Sequence, residues 1–207
     1  MDLQPLTPDR RRQQTRDHLL AAAAEVFAER GFHGATLDEV AAVAGFTKGA
    51  VYSNFKNKED LFLALFKANY DREMDAIRGA LAESEAPPEA RIPEFVTLVR
   101  EQTEQAGRNF NLLYQEFCLY AARNPAVREE LTRIDNEGAQ ALADILQAER
   151  VRVGLEPLSS PLHTARIIES LFRGIGQLRS LQPDLADDEF VEAAIAFVAR
   201  GLGEPID

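Results

Sequence analysis

The residues best equipped for chemistry lie close together, between positions 34 and 62, in the stretch GATLDEVAAVAGFTKGAVYSNFKNKEDLF. Thr36 and Thr47 each stand at the start of a short helical run, where a hydroxyl caps free backbone amides and those amides can hold an anion. Lys48, Gly49 and Ala50 follow Thr47, and such small or basic residues suit close approach to a polyanion. Tyr52 has the reach and the hydroxyl for a phosphate oxygen, and Lys58 brings a positive charge to the same edge. Lys48 and Asn54 are the side chains suited to reading bases, because an ammonium matches guanine and a carboxamide matches adenine. Taken singly, each has a plainer reading: the two Thr as simple caps, Tyr52 as a half-buried packing residue, Asn54 as another cap. Their joint spacing points to nucleic acid. Arg10, Arg11 and Arg12 suit a phosphate clamp, a minor-groove arm or a solvated tail equally well.

The rest of the chain offers little for catalysis. One Cys and three His leave little material for a disulfide framework or a metal site. No HExxH, P-loop or hydrolase elbow occurs, so neither an active site nor a cofactor is expected. Gly174-Ile175-Gly176 begins like a dinucleotide loop but lacks the third Gly and a preceding strand, and reads as small residues packing on a helix. Cys118, among Leu112, Leu113, Tyr114, Phe117, Leu119 and Tyr120, reads as a small buried thiol rather than a nucleophile paired with His163.

Helices must position these groups. Thr7, Pro8 and Asp9 form a helix start, and Leu19, Leu20, Ala23, Val26 and Phe27 then share one face. Gly31 and Gly34 bracket its stop. A second helix opens at Thr36 with Glu39 completing a capping box and ends at Gly45. Thr47 caps a third, KGAVYSNF, and Asn57 a fourth that continues towards Leu81. Two short helices joined by a glycine-containing turn form a helix-turn-helix, with Val40, Ala41 and Ala44 facing Val51 and Phe55 and Phe46 filling the corner. ESEAPPEA (83–90) reads as a linker or loop. Further helices are predicted at roughly 91–106, 108–123, 125–153, 161–181 and 187–202. Asn124-Pro125 and Ser160-Pro161 serve as cap-plus-Pro starts, and Gly154 as a stop. Alternating β-branched residues are nearly absent, so the fold class is all-α with about nine helices.

Composition agrees. In 207 residues, 45% are hydrophobic and 28% charged, as in soluble globular proteins. No run approaches a membrane span and the opening MDLQPLTPDRRR lacks an apolar signal stretch, so a cytoplasmic location is expected. The net charge of −11 is unevenly spread: residues 1–58 carry +1 and residues 59–207 carry −12. A near-neutral head with clustered Arg can approach a polyanion while an acidic body stays in solvent.

The N-terminal stretch resembles the DNA-binding domain of the TetR family of transcriptional regulators. The resemblance rests on Thr36 opening the second helix, Ala44-Gly45 before the turn, Tyr52 and Phe55 three apart, and Lys58-Glu59-Asp60-Leu61 opening the fourth. It covers roughly residues 12–64; beyond residue 85 only the helical layout and length fit. It implies a helix-turn-helix DNA-binding domain over 1–58 and a helical effector-binding and dimerisation domain over 59–207. Double-stranded operator DNA would meet Thr36, Thr47, Lys48, Gly49, Ala50, Tyr52, Asn54 and Lys58. The family also implies a mainly apolar pocket for a small-molecule effector, with Phe110, Tyr114, Phe117, Cys118, Arg173 and Gln177 as candidates and Arg166 beside them. Core packing accounts for most of the aromatic stretch, and Arg166, Arg173 and Gln177 are equally surface or dimer-seam residues. Apolar stripes at Ile167, Leu171, Ile175 and Leu178, and at Phe190, Ala194, Phe197 and Val198, are either core or the four-helix seam of a homodimer. The function expected is that of a ligand-responsive regulator, a repressor released from a palindromic operator by a small molecule. An enzyme or carrier with a helix-turn-helix-like head, or a regulator controlled by a protein partner, are the alternatives.

Overall fold

Hydroxyl and carboxamide caps set most of the N-terminal helix starts. The computed structural model describes residues 7–105 and 107–203. The described residues form nine helices and no strand: α1 Pro8–Gly34, α2 Leu37–Ala44, α3 Lys48–Asn54, α4 Lys58–Glu83, α5 Pro88–Gln105, α6 Gly107–Ala122, α7 Pro125–Arg152, α8 Pro161–Leu181 and α9 Asp188–Gly203. Residues 1–6 of the opening stretch, and Ala106, where one predicted helix ends, lie outside the described residues. Thr7 Oγ1 accepts from the Arg10 amide at 3.3 Å, and Thr47 Oγ1 from Ala50 at 3.2 Å. At Thr36 the capping box is complete: its hydroxyl accepts from the Glu39 amide at 3.2 Å, and the Glu39 carboxylate accepts from the Thr36 amide at 3.0 Å. Asn57 Oδ1 accepts from Asp60 at 2.8 Å. Such caps satisfy amides that have no intrahelical partner, and each contributes about 1 kcal/mol.

Two later helices start where the sequence places them, at Pro125 and Pro161, but their cap side chains are used differently. Ser160 holds the cap position of α8 without a side-chain bond; its carbonyl accepts the Thr164 hydroxyl at 3.1 Å. Asn124 turns its carboxamide back to the Tyr120 carbonyl at 2.7 Å, closing α6. The expected linker 83–90 also contracts, because α5 begins at Pro88, whose fixed φ and missing amide suit a first turn. What remains is a short turn in which Ser84 donates to Glu94 at 2.6 Å and accepts from the Ala86 amide at 3.1 Å.

The helices pack as two compact units. One holds the described residues up to Ala68 together with Leu113–Leu131, and the other holds Asn69–Leu112 and the described residues from Thr132 onward. The sequence division at residue 58 coincides with the first residue of α4, whereas packing carries the N-terminal unit further along that helix. Its core joins Leu19, Ala23 and Phe27 of α1 to Val40, Val51, Phe55 and Phe62. Phe117 completes it, stacked on Phe62 with centroids 4.0 Å apart and edge-on to Phe32 at 4.8 Å. Aromatic pairs of this kind contribute about 0.5–1.5 kcal/mol beyond the area they bury.

The second unit is built on Ile77, Phe95, Val96, Leu142, Leu146, Ile168 and Phe172. A buried ion pair crosses it, Arg91 Nε donating to Glu149 at 2.6 Å while Nη2 donates to the Leu81 carbonyl at 2.8 Å. Removing one partner of such a pair strands the other charge in low dielectric. Gly138 of α7 is buried because Tyr70 occupies the space where a side chain would project: a Cβ there would lie 2.2 Å from Tyr70 Cε1. Gly138→Ala should therefore cost about 1–3 kcal/mol by overpacking. Thermal unfolding measures it, and an unchanged midpoint would contradict this placement of the Tyr70 ring.

Candidate nucleic-acid interface

The turn between α2 and α3 is built from backbone. Gly45 adopts φ +69°, a left-handed conformation that non-glycine residues rarely take, and ends α2. The Phe46 amide donates to the Ala41 carbonyl at 3.0 Å, and Thr47 then caps α3. Val40, Ala41, Val51 and Phe55 are buried, while Ala44 and Phe46 are half-buried, Phe46 lying 6.1 Å from the His18 ring. One side of α3 is thus fixed against the unit. On the other side Thr47, Lys48, Gly49 and Tyr52 are exposed, Tyr52 by 58%. Ala50 and Asn54 are half-buried beneath them.

Several of these groups already have partners. The Lys48 ammonium donates to Asp38 Oδ2 at 2.5 Å, and that hydrogen bond, with the carboxylate's charge, raises the lysine's pKa. Asn54 donates to the Ala50 carbonyl at 2.8 Å, so its carboxamide is turned back on α3. Lys58 donates to the His33 and Ala35 carbonyls, both at 3.0 Å, with its ammonium 4.8 Å from the centre of the Phe32 ring. Its charge therefore closes the end of α1. Arg10, Arg11 and Arg12 are exposed on the first turns of α1, a helical placement rather than an arm or tail. Sequence spacing points to neither Asp38 nor Arg16. Arg16 lies 4.4 Å over the Phe55 ring and donates to the Asn54 carbonyl at 3.1 Å, supporting the end of α3 from α1.

The six effector candidates divide between the units. Tyr114, Phe117 and Cys118 belong to the first, where Phe117 is fully buried, Tyr114 stacks on Phe66 at 4.8 Å and Cys118 is a half-buried thiol. Phe110, Arg173 and Gln177 belong to the second, with Gln177 exposed. Two cavities lie within the second unit. One is an open groove of about 1170 Å³ between α5 and α9, walled by Ile92, Leu155, Val191 and Ile195, with Arg100 and Arg200 at its side. The other, about 290 Å³, is lined by Asn111, Phe172, Ile175 and Gly176. Neither is lined by any of the six.

Arg173 instead joins a polar cluster. It donates to the Tyr70 hydroxyl at 2.8 Å and pairs with Asp135 at 3.2 Å, and Arg166 pairs with the same Asp135. The Tyr70 hydroxyl donates to Glu169 at 2.5 Å, and Asn69 donates to Glu73 at 2.5 Å. Burial raises the pKa of Tyr70 and Glu169. Burial also pushes the Glu73 carboxyl up to about 7, against the opposing pull of Asn69 and Arg173. Among the described residues there is no group of three or more His, Cys, Asp or Glu placed to hold a metal ion, and no helix long and apolar enough to cross a membrane.

Residues 19–65 match the model of bacterial regulatory proteins of the tetR family. The HTH-type transcriptional activator FasR of Mycolicibacterium smegmatis is 41% identical over 200 residues, spanning 92% of this chain and 84% of FasR. The chain belongs to the tetR family. This tetR-family protein is a DNA-binding transcriptional regulator with a helix-turn-helix head. The HTH-type transcriptional repressor BepR of Brucella suis is 37% identical over 169 residues, 78% of either chain. A crystal structure of FadR from Bacillus subtilis in complex with stearoyl-CoA shares the fold, with a TM-score of 0.67 and 21% identity over 92% of this chain and 99% of that one.

Glu73 gives the regulator a pH-dependent stability. Its carboxyl holds a proton up to about pH 7 in the folded state, against 4.5 in the reference state. Between those values the native state binds more protons than the unfolded one, so stability falls as pH rises through the window and is lowest above it. Glu73→Gln should flatten that fall, as measured by urea unfolding at about pH 5 and about pH 8. An identical slope in both proteins would reject the assignment.

Proposed function

We propose that this regulator is a repressor that binds a palindromic operator as a homodimer in the cytoplasm and is released by a small molecule. The observation that carries operator binding is the outward face of α3, where Thr47, Lys48, Gly49 and Tyr52 are exposed while Val51 and Phe55 lock the helix from behind. In this reading α3 enters the major groove. Thr36, Thr47 and Tyr52 hold phosphates with Lys58 beside them, Gly49 and Ala50 allow close approach, and Lys48 and Asn54 read base edges. Lys48 leaves Asp38, and Asn54 turns away from Ala50, to do so.

Exposed apolar side chains on α8 and α9 support the dimer. Ile167 is 66% exposed and Phe197 is 79% exposed, while Ile175 of the same expected stripe is buried in the protomer's own core. In this reading the stripe on α8 is divided between core and seam. A second copy covering Ile167 and Phe197 would hold two recognition helices about 34–36 Å apart, one turn of the duplex. The stearoyl-CoA held by FadR supports an acyl amphiphile as the effector class, received in the helical body over 59–207. Phe110, Arg173 and Gln177, which belong to the second unit, are the candidates to meet it. Release is then a coupling: an effector that lowers operator affinity must itself bind less tightly to the operator complex.

Selection of bound fragments from genomic DNA tests the reading directly, and recovery of no enriched sequence would reject it. On a selected fragment, Lys48→Ala should relax preference at one or two positions per half-site by roughly tenfold, while Tyr52→Phe weakens all sequences alike. Equal loss for Lys48→Ala on every fragment variant would reduce Lys48 to a backbone contact.

Phe197→Glu should give a folded monomer with weak, non-selective DNA binding, because a seam cannot bury an unpaired carboxylate cheaply. Sedimentation with circular dichroism reads the outcome. An intact folded dimer would exclude Phe197 from the seam.

A further inference from the structure

The break at Gly31 leaves a short turn between α1 and α2 that is held from two sides. Gly31 has φ +69° and ψ 173°, so the helical ladder stops and the amides of Phe32 and His33 lose their partners on the preceding turn. Both donate instead to one carboxylate on α6, Phe32 to Glu116 Oε2 at 2.9 Å and His33 to Glu116 Oε1 at 3.1 Å. Two successive amides aimed at one anion form a local nest. The fit leaves no slack, since a Cβ on residue 31 would lie 2.9 Å from Glu116 Oε2. On the carbonyl side the same turn is held by Lys58, through His33 and Ala35. Thr36 and the capping box of α2 follow directly.

All of these residues belong to the N-terminal unit, and Glu116 reaches them from a distant part of the chain. Neighbouring contacts of α6 with this unit differ in kind. Phe117 packs on Phe32 and Phe62, and the Tyr120 hydroxyl donates to Glu59 at 2.6 Å. Those contacts fasten α6 to the core and to α4. Among the described contacts of α6 with this unit, that of Glu116 is the one to the backbone that leads into α2, and it is directional: hydrogen bonds weaken steeply with misalignment, whereas apolar contacts tolerate sliding.

We propose that Glu116 is a positioning residue for operator recognition, a two-point acceptor on α6 that fixes the α1–α2 junction and through it the placement of the α2–α3 unit. A small shift of α6 at this point disturbs both bonds together, because they converge on one carboxylate. The proposal rests on α3 being the operator-reading helix, and it needs no effector.

The test compares the full-length protein with Glu116→Gln, whose carboxamide can accept from one amide but presents its own donor group to the other. The probes are a genomic fragment selected by the wild type and a random-sequence duplex of equal length, at one salt concentration. Affinity for the selected fragment should fall about tenfold while affinity for the random duplex changes by less than about twofold. Amide exchange at Phe32 and His33 should accelerate with protection in α4 retained. Tyr120→Phe, which removes the neighbouring bond from α6, should leave the ratio of the two affinities unchanged. Should Glu116→Gln fail to fold, Glu116→Asp, which keeps the charge and shortens the reach, is read by the same measures. Equal loss on both duplexes, no loss on either, or the same shift in ratio from Tyr120→Phe would each overturn the proposal. A wild type with no preference between the duplexes would instead remove the operator reading, and the proposal with it.

Discussion

A helix that stops must find partners for the backbone groups it abandons, and the N-terminal unit is organised around that requirement. Gly45 and Thr47 meet it at the turn, the reciprocal bonds of Thr36 and Glu39 meet it at the start of α2, and Lys58 and Glu116 meet it at the end of α1. Each solution fixes an angle between helices as a by-product of satisfying a donor or an acceptor. The apolar core beneath, centred on Phe27, Phe32, Phe62 and Phe117, drives association but is indifferent to small slides. Polar closure therefore gives the head a defined geometry, and α3 inherits it.

Closures within a few residues were legible in the sequence. Thr7, Thr36, Thr47 and Asn57 all cap, because a hydroxyl or carboxamide reaches an amide three residues on, and spacing alone reveals that. Gly31, Gly45 and Gly154 mark left-handed positions for the same local reason. Closures made across the fold were not legible. Arg16 reaches Asn54 from 38 residues away and Glu116 reaches Phe32 from 84 away, separations that leave no periodic trace. Lys58 shows the cost of this: its place beside the recognition unit was evident, yet its two backbone partners lie at the far end of another helix.

In the second unit the limit is of another kind. Tyr70, Glu73, Asp135, Glu169 and Arg173 stand on three helices, and of these only Arg173 stands out in the sequence, as an effector candidate. Their convergence sets polar and charged groups against the core, where desolvation raises the pKa of Glu169 and Glu73. The aromatic stretch of α6 reads either as pocket wall or as core, and for Phe117 the packing is that of core. Periodicity identifies a buried face without saying what it is buried against.

The contact between Lys48 and Asp38 bears on how the protein travels along DNA. A cation already neutralised by its own chain displaces few counterions when an arbitrary phosphate passes, and so adds little to the grip on random sequence. A groove edge with well-placed acceptors offers that ammonium an exchange of partners that a passing phosphate does not match in geometry. On the proposed reading of α3, Asp38 lowers the floor of non-specific attachment rather than raising the ceiling of specific affinity. Weak attachment between sites shortens each pause during one-dimensional search, so on that reading the carboxylate that holds Lys48 favours speed of location over tenacity.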